Sequence, residues 1–268
     1  MKVAISVDTI NERNIEPITA FVQHAERLGV AYVWSHEAWG SDAVSPLGYL
    51  AAKTSSVKLG CGIMQISARV PAMIAMSALT LDALSGGRFL LGLGASGPQV
   101  VEGLHGSAYD GPLGRLKETV EIVRLACRGE KVAFAGKYHH LPRPGGEGKA
   151  LRLDFAPRPN LPIYLATLGP RALEYTGAQA DGWLGTSFSP EHAEAHLEHL
   201  RCGAARRGRD VAELDLQVAC HVAIGEDVEA LVKRRKAAVA FTLGAMGSAT
   251  TNFYNDAYRR AGYEDDAL

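Results

Sequence analysis

The sequence lacks the residue patterns that mark zinc proteins, disulfide-stapled secreted proteins and membrane-spanning proteins. Its four cysteines (Cys61, Cys127, Cys202 and Cys220) form no C-x-x-C pair, so their spacing indicates neither a zinc site nor a disulfide framework. It has no run of about 18 uncharged apolar residues, the length that a membrane-spanning helix needs. The apolar run at the N-terminus is short and ends in Asp8, unlike the core of a signal peptide. These absences predict a cytoplasmic protein that spans no membrane.

Charge of either sign is not in excess. The formal net charge is −1 at pH 7, and acidic and basic residues are interspersed along the chain. Surfaces that bind nucleic acid or anionic membranes need a concentration of positive charge, which this sequence lacks. We therefore expect a small-molecule partner, no nucleic acid and no membrane.

What the sequence does contain is a repeated alternation of short apolar runs, turns rich in glycine or serine, and helical stretches. This alternation is typical of α/β proteins. Seven strands are predicted, at residues 3–7, 31–35, 57–64, 88–93, 163–166, 182–185 and 214–224. Helices are predicted at residues 17–29, 45–54, 71–84 and 112–127, and from Pro170, Pro190 and Glu226 onward.

The pattern favours one (β/α) barrel over an open sheet. Polar residues and glycines follow strand after strand, whereas an open doubly wound sheet concentrates them at one switch point. Residues 129–162 are rich in glycine and proline, and they predict an inserted hairpin or lid. Residues 252–268 look more helical than extended, so no eighth strand is evident. The expected fold is a TIM (β/α)8-type barrel formed by residues 1–268, with its last βα unit missing or shortened.

Residues 92–97 satisfy the pattern G-x-G-x-x-G and follow a predicted strand, which makes a nicotinamide-dependent dehydrogenase an alternative. That fingerprint normally opens a helix in the first βαβ unit. Here it follows the fourth strand, and Pro98 and Gly103 are expected to delay the next helix until Pro112. Glycines in a tight turn are the simpler interpretation, although a flat cofactor could approach such a backbone closely.

Three histidines, His192, His196 and His199, lie at helical spacing and raise the question of a metal site. The string is not H-E-x-x-H, and glutamates are interleaved with the histidines. A solvated helix face is the favoured interpretation, so no metal is expected.

Two other short segments carry residue types suited to chemistry. Glu37 follows the second predicted strand, close to Trp39 and Asp42, and an acid at a strand end can transfer protons. The segment 168–172 (LGPRA) follows the fifth strand and opens a helix, where free backbone amides can hold a phosphate and Arg171 can add charge. Taken alone, Glu37 is more simply interpreted as an ordinary surface acid, and the segment 168–172 as an ordinary helix start.

Six segments, taken together, are more specific than any single motif: 34–43 (WSHEAWGSDA), 60–69 (GCGIMQISAR), 80–89 (TLDALSGGRF), 91–103 (LGLGASGPQVVEG), 164–170 (YLATLGP) and 180–183 (ADGW). They resemble the luciferase-like monooxygenase superfamily, and specifically its coenzyme F420-dependent oxidoreductases. The resemblance implies a luciferase-like barrel with the deazaflavin ring across its C-terminal mouth, and a non-proline cis peptide at Gly62-Ile63. It also implies cofactor contacts from Gly62, Ile63, Gln65, Gly94, Ser96, Gln99, Leu168, Gly169, Arg171 and Ala172, and proton transfer by Glu37.

The activity implied by the resemblance is hydride transfer between the deazaflavin and a small organic substrate, in a protein that forms a homodimer. An FMN-dependent two-component monooxygenase is the alternative within enzymes, and a non-catalytic flavin- or deazaflavin-binding protein is the alternative of another class. Members of the superfamily usually continue for another strand and helix beyond the position of Leu268, so the chain is expected to be truncated or shortened.

Overall fold

The structure, a computed structural model, describes residues 2–7, 9–245, 247 and 252–263. Its contacts divide the chain into two compact units. The first unit comprises Met1–Ser96 and His105–Leu165, and the second comprises Gly97–Leu104 and Ala166–Leu268. That residues 1–268 form a single barrel domain stays a prediction.

Strands and helices alternate along the described chain, as the sequence predicts. The strands are β1 (Ala4–Val7), β2 (Tyr32–Ser35), β3 (Lys58–Cys61), β4 (Met64–Gln65), β5 (Phe89–Gly94), β6 (Phe134–Ala135), β7 (His140–Leu141), β8 (Ile163–Leu165), β9 (Gly182–Gly185) and β10 (Asp215–Val218). The helices are α1 (Ile15–Arg27), α2 (Val44–Lys53), α3 (Pro71–Leu84), α4 (Pro98–Val101), α5 (Pro112–Cys127), α6 (Pro170–Gln179), α7 (Glu194–Arg206), α8 (Val228–Ala240) and α9 (Phe253–Arg260). Short 3-10 turns occur at Pro190–His192 and Val211–Glu213, and a π-helical turn at Phe241–Ala245.

In the first unit, strands β1, β2, β3, β5 and β8 lie side by side in that order, and every neighbouring pair is parallel. All six residues of β5 are buried, as are the three of β8. Parallel strands covered on both faces need such continuous apolar runs. Fully buried side chains such as Leu91 and Leu93 each contribute about 1.5–3 kcal/mol by leaving water.

The predicted third strand, 57–64, is divided into two. β3 ends at Cys61, and β4 begins at Met64 and pairs with β5. The peptide bond between Gly62 and Ile63, which lies between the two strands, is cis. The cis bond that the resemblance implies at this turn is therefore confirmed.

The excursion at 129–162 contains the hairpin that the sequence predicts, formed by the antiparallel strands β6 and β7. Glu118 of α5 holds its turn, because the carboxylate accepts the backbone N–H groups of Lys137, Tyr138 and His139. At the other end of the excursion, Arg158 forms an ion pair with the buried Asp82 of α3. The hairpin turn and Arg158 near the C-terminal end of the excursion are thus each fixed to a helix of the first unit.

In the second unit, β9 and β10 are parallel neighbours, and the core is formed by Leu173, Trp183, Leu200 and Leu214. Helices α6 and α7 touch through their backbones. A Cβ atom on Gly203 would lie 1.9 Å from the carbonyl oxygen of Glu174, and one on Gly177 would lie 2.1 Å from that of Leu200. Only glycine at both places permits this approach.

Three sequence-based expectations in the second unit are wrong. β10 is shorter than predicted because its partner β9 ends at Gly185, which pairs with Val218 and accepts the N–H of Ala219, and the residues that follow are exposed. The next helix after Gly97 is not delayed until Pro112, since Pro98 can begin the short helix α4 at once. His196 is not on a solvated face: it is only 1% exposed and packs on Trp183 and Phe188.

The sequence predicts no metal site and no membrane-spanning helix, and the structure gives findings on both for the described residues only. Among them, no cluster of three or more His, Cys, Asp and Glu side chains is arranged to hold a metal ion. None of the described helices is long and apolar enough to cross a membrane. Within 252–263 the chain is helical, as expected, and the rest of the predicted tail, 264–268, lies outside the described residues.

The last turn of α1 is fixed to the turn before β3 by a single carboxylate. One oxygen of Glu26 accepts the backbone N–H groups of Ser55 (2.9 Å), Ser56 (2.6 Å) and Val57 (2.9 Å), and the hydroxyl of Ser56 (3.0 Å). Burial by itself raises the pKa of Glu26, but these hydrogen bonds outweigh burial and lower the pKa to about 2. The ionised form is therefore the one that the fold requires.

We expect Glu26→Gln to lower the free energy of unfolding at pH 7 by about 1 kcal/mol, because neutral hydrogen bonds replace charge-assisted ones. In the wild type this stabilisation is complete above the ordinary glutamate pKa of 4.5 and is lost as the pH falls toward about 2. The variant lacks that part of the pH dependence. Urea unfolding between pH 2.5 and 7 measures both effects, with Glu147→Gln, at an exposed position, as the control. Identical pH profiles for wild type and Glu26→Gln contradict the assignment.

Candidate functional site

Glu37, the predicted proton-transfer residue, lies two positions beyond β2, and its side chain is only 9% exposed. One carboxylate oxygen accepts the backbone N–H of Gln65 at 3.2 Å and Nη1 of Arg69 at 2.6 Å. The other accepts the backbone N–H of Ala43 at 3.1 Å. The three donors come from three different parts of the loop and strand end and hold the carboxylate in one place, so the geometry favours a positioning role. Proton transfer by Glu37 stays a prediction.

Arg69 forms the ion pair with Glu37, and the sequence pattern did not single it out as a candidate site residue. Burial of its guanidinium disfavours the charged form, but the hydrogen bond and charge of Glu37, together with the charge of Asp42, raise the pKa of Arg69 above its ordinary value. Asp42 in turn accepts the N–H groups of Val44 and Ser45, each at 2.8 Å, at the start of α2. The sequence signal that could have identified Arg69 is its place at the end of the segment 60–69, downstream of Glu37 in the segment 34–43.

Gln65 is completely buried and binds the same loop from the opposite direction. Its side-chain Nε2 donates to the carbonyl oxygens of Glu37 at 3.0 Å and Ala38 at 3.3 Å. The end of β4 and the loop after β2 are therefore joined by hydrogen bonds running both ways. The other side-chain atom, Oε1, has no hydrogen-bond partner among the described residues.

The structure brings Gly62, Ile63, Gln65 and Gly94 together where β3, β4 and β5 end. Gln65 and Gly94 are paired in the β4–β5 register. A Cβ atom on Gly94 would lie 2.9 Å from Cδ1 of Ile63, so the space beside Gly94 is filled by the Ile63 side chain. Gly94 therefore leaves the space that the Ile63 side chain occupies, and a larger residue at position 94 would displace that side chain.

Ser96 follows β5 with a φ of 59°, a left-handed conformation that is uncommon for a residue with a side chain. Its carbonyl oxygen accepts a hydrogen bond from the Tyr109 hydroxyl at 3.2 Å. Such backbone conformations are concentrated at functional sites.

The same unit contains Trp34 of β2. Its buried Nε1 has no hydrogen-bond partner among the described residues, and its ring meets that of Tyr164 edge to face, with 5.3 Å between the ring centroids.

The remaining predicted cofactor residues lie in the second unit. Gly169 precedes α6, and its carbonyl accepts the N–H groups of Ala172 at 3.0 Å and Leu173 at 2.9 Å. No atom lies within 4 Å of the place that a Cβ on Gly169 would take, so this helix start is open. Arg171 is exposed beside it.

Two further contacts in the second unit involve predicted residues. Leu168 is buried, and its carbonyl oxygen accepts Nη2 of Arg260 at 2.8 Å, a contact of α9 that the sequence pattern did not indicate. Gln99 is exposed on α4 and donates through Nε2 to the carbonyl of Gly247 at 3.2 Å. The helix start therefore has one arginine on the turn itself and a second arginine bound to its backbone.

Comparisons with known proteins give one family. A sequence model of the luciferase-like monooxygenase family matches residues 2–268. A protein of Mycobacterium tuberculosis that is named as a coenzyme F420-dependent oxidoreductase is 42% identical over 250 residues, which cover 90% of this chain and 72% of the relative. The 5,10-methylenetetrahydromethanopterin reductase of Methanolobus tindarius is 32% identical over 225 residues, which cover 84% of this chain and 66% of the relative.

The fold is shared with solved structures. The coenzyme F420-dependent tetrahydromethanopterin reductase of Methanopyrus kandleri superposes with a TM-score of 0.79 at 24% identity, covering 90% of this chain and 72% of that one. This likeness confirms the predicted fold class, an α/β fold of the luciferase-like barrel type.

We expect Arg69→Met to lower the free energy of unfolding by about 3 kcal/mol, because it leaves the Glu37 carboxylate buried without its cation. Adding Glu37→Gln to that variant is expected to restore part of the loss, since the unpaired charge is then removed. A double-mutant cycle in urea measures the coupling. Arg13→Met, at an exposed pair with Glu12, serves as the control and is expected to change stability by less than about 0.5 kcal/mol. Strictly additive effects of the two site substitutions would show that the ion pair is not coupled.

Proposed function

The chain belongs to the luciferase-like monooxygenase family, and on that basis we propose that it is an oxidoreductase that uses coenzyme F420. The observation that carries this proposal is the 42% identity to a relative named as a coenzyme F420-dependent oxidoreductase, which extends over 90% of this chain. The coenzyme F420-dependent tetrahydromethanopterin reductase of Methanopyrus kandleri shares its fold. When bound, the deazaflavin carries a hydride to or from a small organic substrate, and the protein supplies binding, orientation and exclusion of water.

The residues of the first unit fit a flat heteroaromatic ring. The cis turn at Gly62-Ile63 presents backbone and one aliphatic side chain, and Gly94 leaves room for that side chain. Gln65 next to this turn holds a buried acceptor that no described residue satisfies. We propose that Gly62, Ile63, Gln65, Gly94 and Ser96 contact the ring.

Glu37 is proposed to act first by positioning Gln65, through the hydrogen bond to its backbone N–H. Proton transfer by Glu37 remains part of the proposal. A role in proton transfer predicts a pH-dependent loss of turnover in Glu37→Gln with ring binding retained, whereas a positioning role predicts weaker ring binding at every pH.

In the second unit, we propose that the turn of Leu168, Gly169, Arg171 and Ala172 binds the phosphate group of the cofactor, and that Gln99 adds a contact. Backbone N–H groups at a helix start favour an anion, and Arg171 adds a positive charge. The open space beside Gly169 supports this assignment.

We also propose that the protein is a cytoplasmic homodimer that acts on a small molecule and binds neither nucleic acid nor membranes. The near-zero net charge with interspersed signs supports the choice of partner. Light scattering of the purified protein at several concentrations tests the dimer.

Titration of the purified protein with F420 and with FMN, followed by fluorescence of each ring, tests the cofactor. We expect saturable binding of F420, with FMN binding at least about tenfold weaker, equivalent to about 1.4 kcal/mol. Tight FMN binding without F420 binding would instead identify a flavin-dependent monooxygenase. Binding of F420 with no turnover of alcohols, aldehydes or enones would identify a non-catalytic carrier.

Replacing the cation at the helix start tests the phosphate contact separately. Arg171→Gln is expected to weaken F420 binding about fivefold, equivalent to about 1 kcal/mol, because it removes an exposed ion pair with the phosphate. It is expected to leave binding of lumiflavin, a ring without phosphate, unchanged. Arg207→Gln, at another exposed position of the second unit, is the control. Equal effects of the two substitutions on F420 binding refute the assignment.

A further inference from the structure

We propose that His196 is a pH-sensing residue of the second unit. When its imidazole takes up a proton, helix α7 separates locally from β9, and the contact between Trp183 and the turn at residues 167–169 is lost. The inference goes beyond the proposed function and does not depend on it, because the conformational change involves no cofactor. Four observations on the second unit lead to it.

The imidazole of His196 is buried among aromatic rings rather than polar groups. The residue is only 1% exposed, and its ring centroid lies 5.5 Å from that of Trp183 and 5.9 Å from that of Phe188. Neither ring nitrogen has a hydrogen-bond partner among the described residues. A neutral imidazole leaves one donor and one acceptor unpaired here, whereas an imidazolium leaves two charged donors unpaired. Since an unpaired charge costs far more to bury, the closed packing holds the neutral ring.

The charges that act on His196 also oppose its protonation. Burial, followed by the positive charges of Arg260 on α9 and His199 on α7, lowers the pKa of His196 from its ordinary value of 6.5. The ring regains its ordinary pKa when α7 opens and water reaches it. The open form therefore binds the proton more tightly than the closed form. It follows that the closed packing is fully stable above pH 6.5 and loses stability as the pH falls below that value.

Acidic side chains on the surrounding elements do not offset these charges. Glu174, the acid of α6, is bound by Arg206 at 2.7 Å. Asp256, the acid of α9, interacts with Arg260, and β9 contains no titratable side chain. The acids of α7 itself are exposed to solvent: Glu194 and Glu198. Among the described residues, no carboxylate forms a hydrogen bond with the His196 ring.

The loop after β9, which covers one side of the His196 ring, is weakly bonded. Ser187 precedes Phe188 and has a φ of 50°, a left-handed conformation that is uncommon for a residue with a side chain. Its buried hydroxyl has no partner among the described residues. Water satisfies this hydroxyl when the loop moves, so opening at this place costs less than opening elsewhere in the core.

Trp183 connects the histidine to the turn before α6. Its ring packs on His196, and its Nε1 donates to the carbonyl oxygen of Thr167 at 2.9 Å. The next carbonyl oxygen, that of Leu168, accepts Nη2 of Arg260 at 2.8 Å. A displacement of the Trp183 ring therefore breaks a hydrogen bond that holds the turn. The conformation of the turn is in this way coupled to the protonation of His196.

The first test follows the indole N–H of Trp183 by NMR in protein labelled with [15N]tryptophan, the signal being identified by its absence in Trp183→Phe. Exchange of this hydrogen with solvent requires that the bond to Thr167 opens. His196→Leu has an apolar side chain of similar size that takes up no proton. Dividing the wild-type exchange rate by the rate of this variant at the same pH removes the intrinsic effect of pH on exchange.

We expect this ratio of exchange rates to rise about tenfold between pH 7.5 and 5.5, because the open form binds one additional proton with the ordinary pKa of 6.5. A rise of less than about twofold overturns the proposal. His221→Asn, at an exposed position of the second unit, is the control and is expected to behave as the wild type. An effect of His221→Asn as large as that of His196→Leu also overturns the proposal.

The second test needs only the unaltered protein and decides the question if His196→Leu does not fold. In protein labelled with [13C]histidine, the His196 signal is identified by its proximity to the Trp183 indole, and it is titrated from pH 8 to pH 5. We expect its midpoint to lie below 6.5, with the Trp183 indole signal changing over the same pH range. A midpoint at or above 6.5, or an indole signal that does not change with it, overturns the proposal.

The outcomes separate this inference from the proposed function, because none of the measurements uses F420. A protein that shows the pH-dependent opening but binds no F420 supports the role of His196 and refutes F420 as the cofactor. A protein that binds F420 but shows no pH-dependent opening keeps its cofactor and refutes the role of His196.

Discussion

The first unit depends on one carboxylate that is bound from two directions. Glu37 accepts the backbone N–H of Gln65 and the guanidinium of Arg69, while the side chain of Gln65 donates back to the carbonyl of Glu37. This reciprocal binding fixes the loop after β2 against the end of β4. A buried polar network stabilises a fold only when its members are satisfied. Among the described residues, Oε1 of Gln65 is a buried side-chain atom of this network that has no hydrogen-bond partner.

The strands could be predicted from the sequence because buried parallel strands need continuous apolar runs bounded by turns. That rule locates β5 and β8 to within a residue or two. It failed for the strand predicted at 214–224, where apolar residues such as Val222 and Ile224 continue the pattern but are exposed. Apolar character alone does not say whether a neighbouring strand is present. The presence of a partner is a property of the whole fold.

The sequence pattern selects some residues that the structure brings together, but it does not predict their contacts. Glu37 and Gln65 were both selected, yet their mutual hydrogen bonds join residues 28 apart in sequence and arise only when β2 and β4 are brought together. His196 shows how a local pattern can mislead. Interleaved glutamates indicated a solvated face, but His196 and Leu200 are four residues apart on a helix and therefore share the buried face. The stronger signal was the spacing of His196 with the apolar residue, not its spacing with the other histidines.

The backbone contact between α6 and α7 has a mechanical consequence for the second unit. At Gly177 and Gly203 the two helices lie so close that side chains on either would collide with the other's carbonyl groups. Sliding one helix along the other by a turn, about 5.4 Å, would bring larger residues to these two points of close backbone contact. The close packing at the two glycines therefore opposes sliding of one helix along the axis of the other, and α6 and α7 are expected to shift only as a pair. A force applied to the turn at Gly169 would be carried along both helices rather than absorbed at the loop.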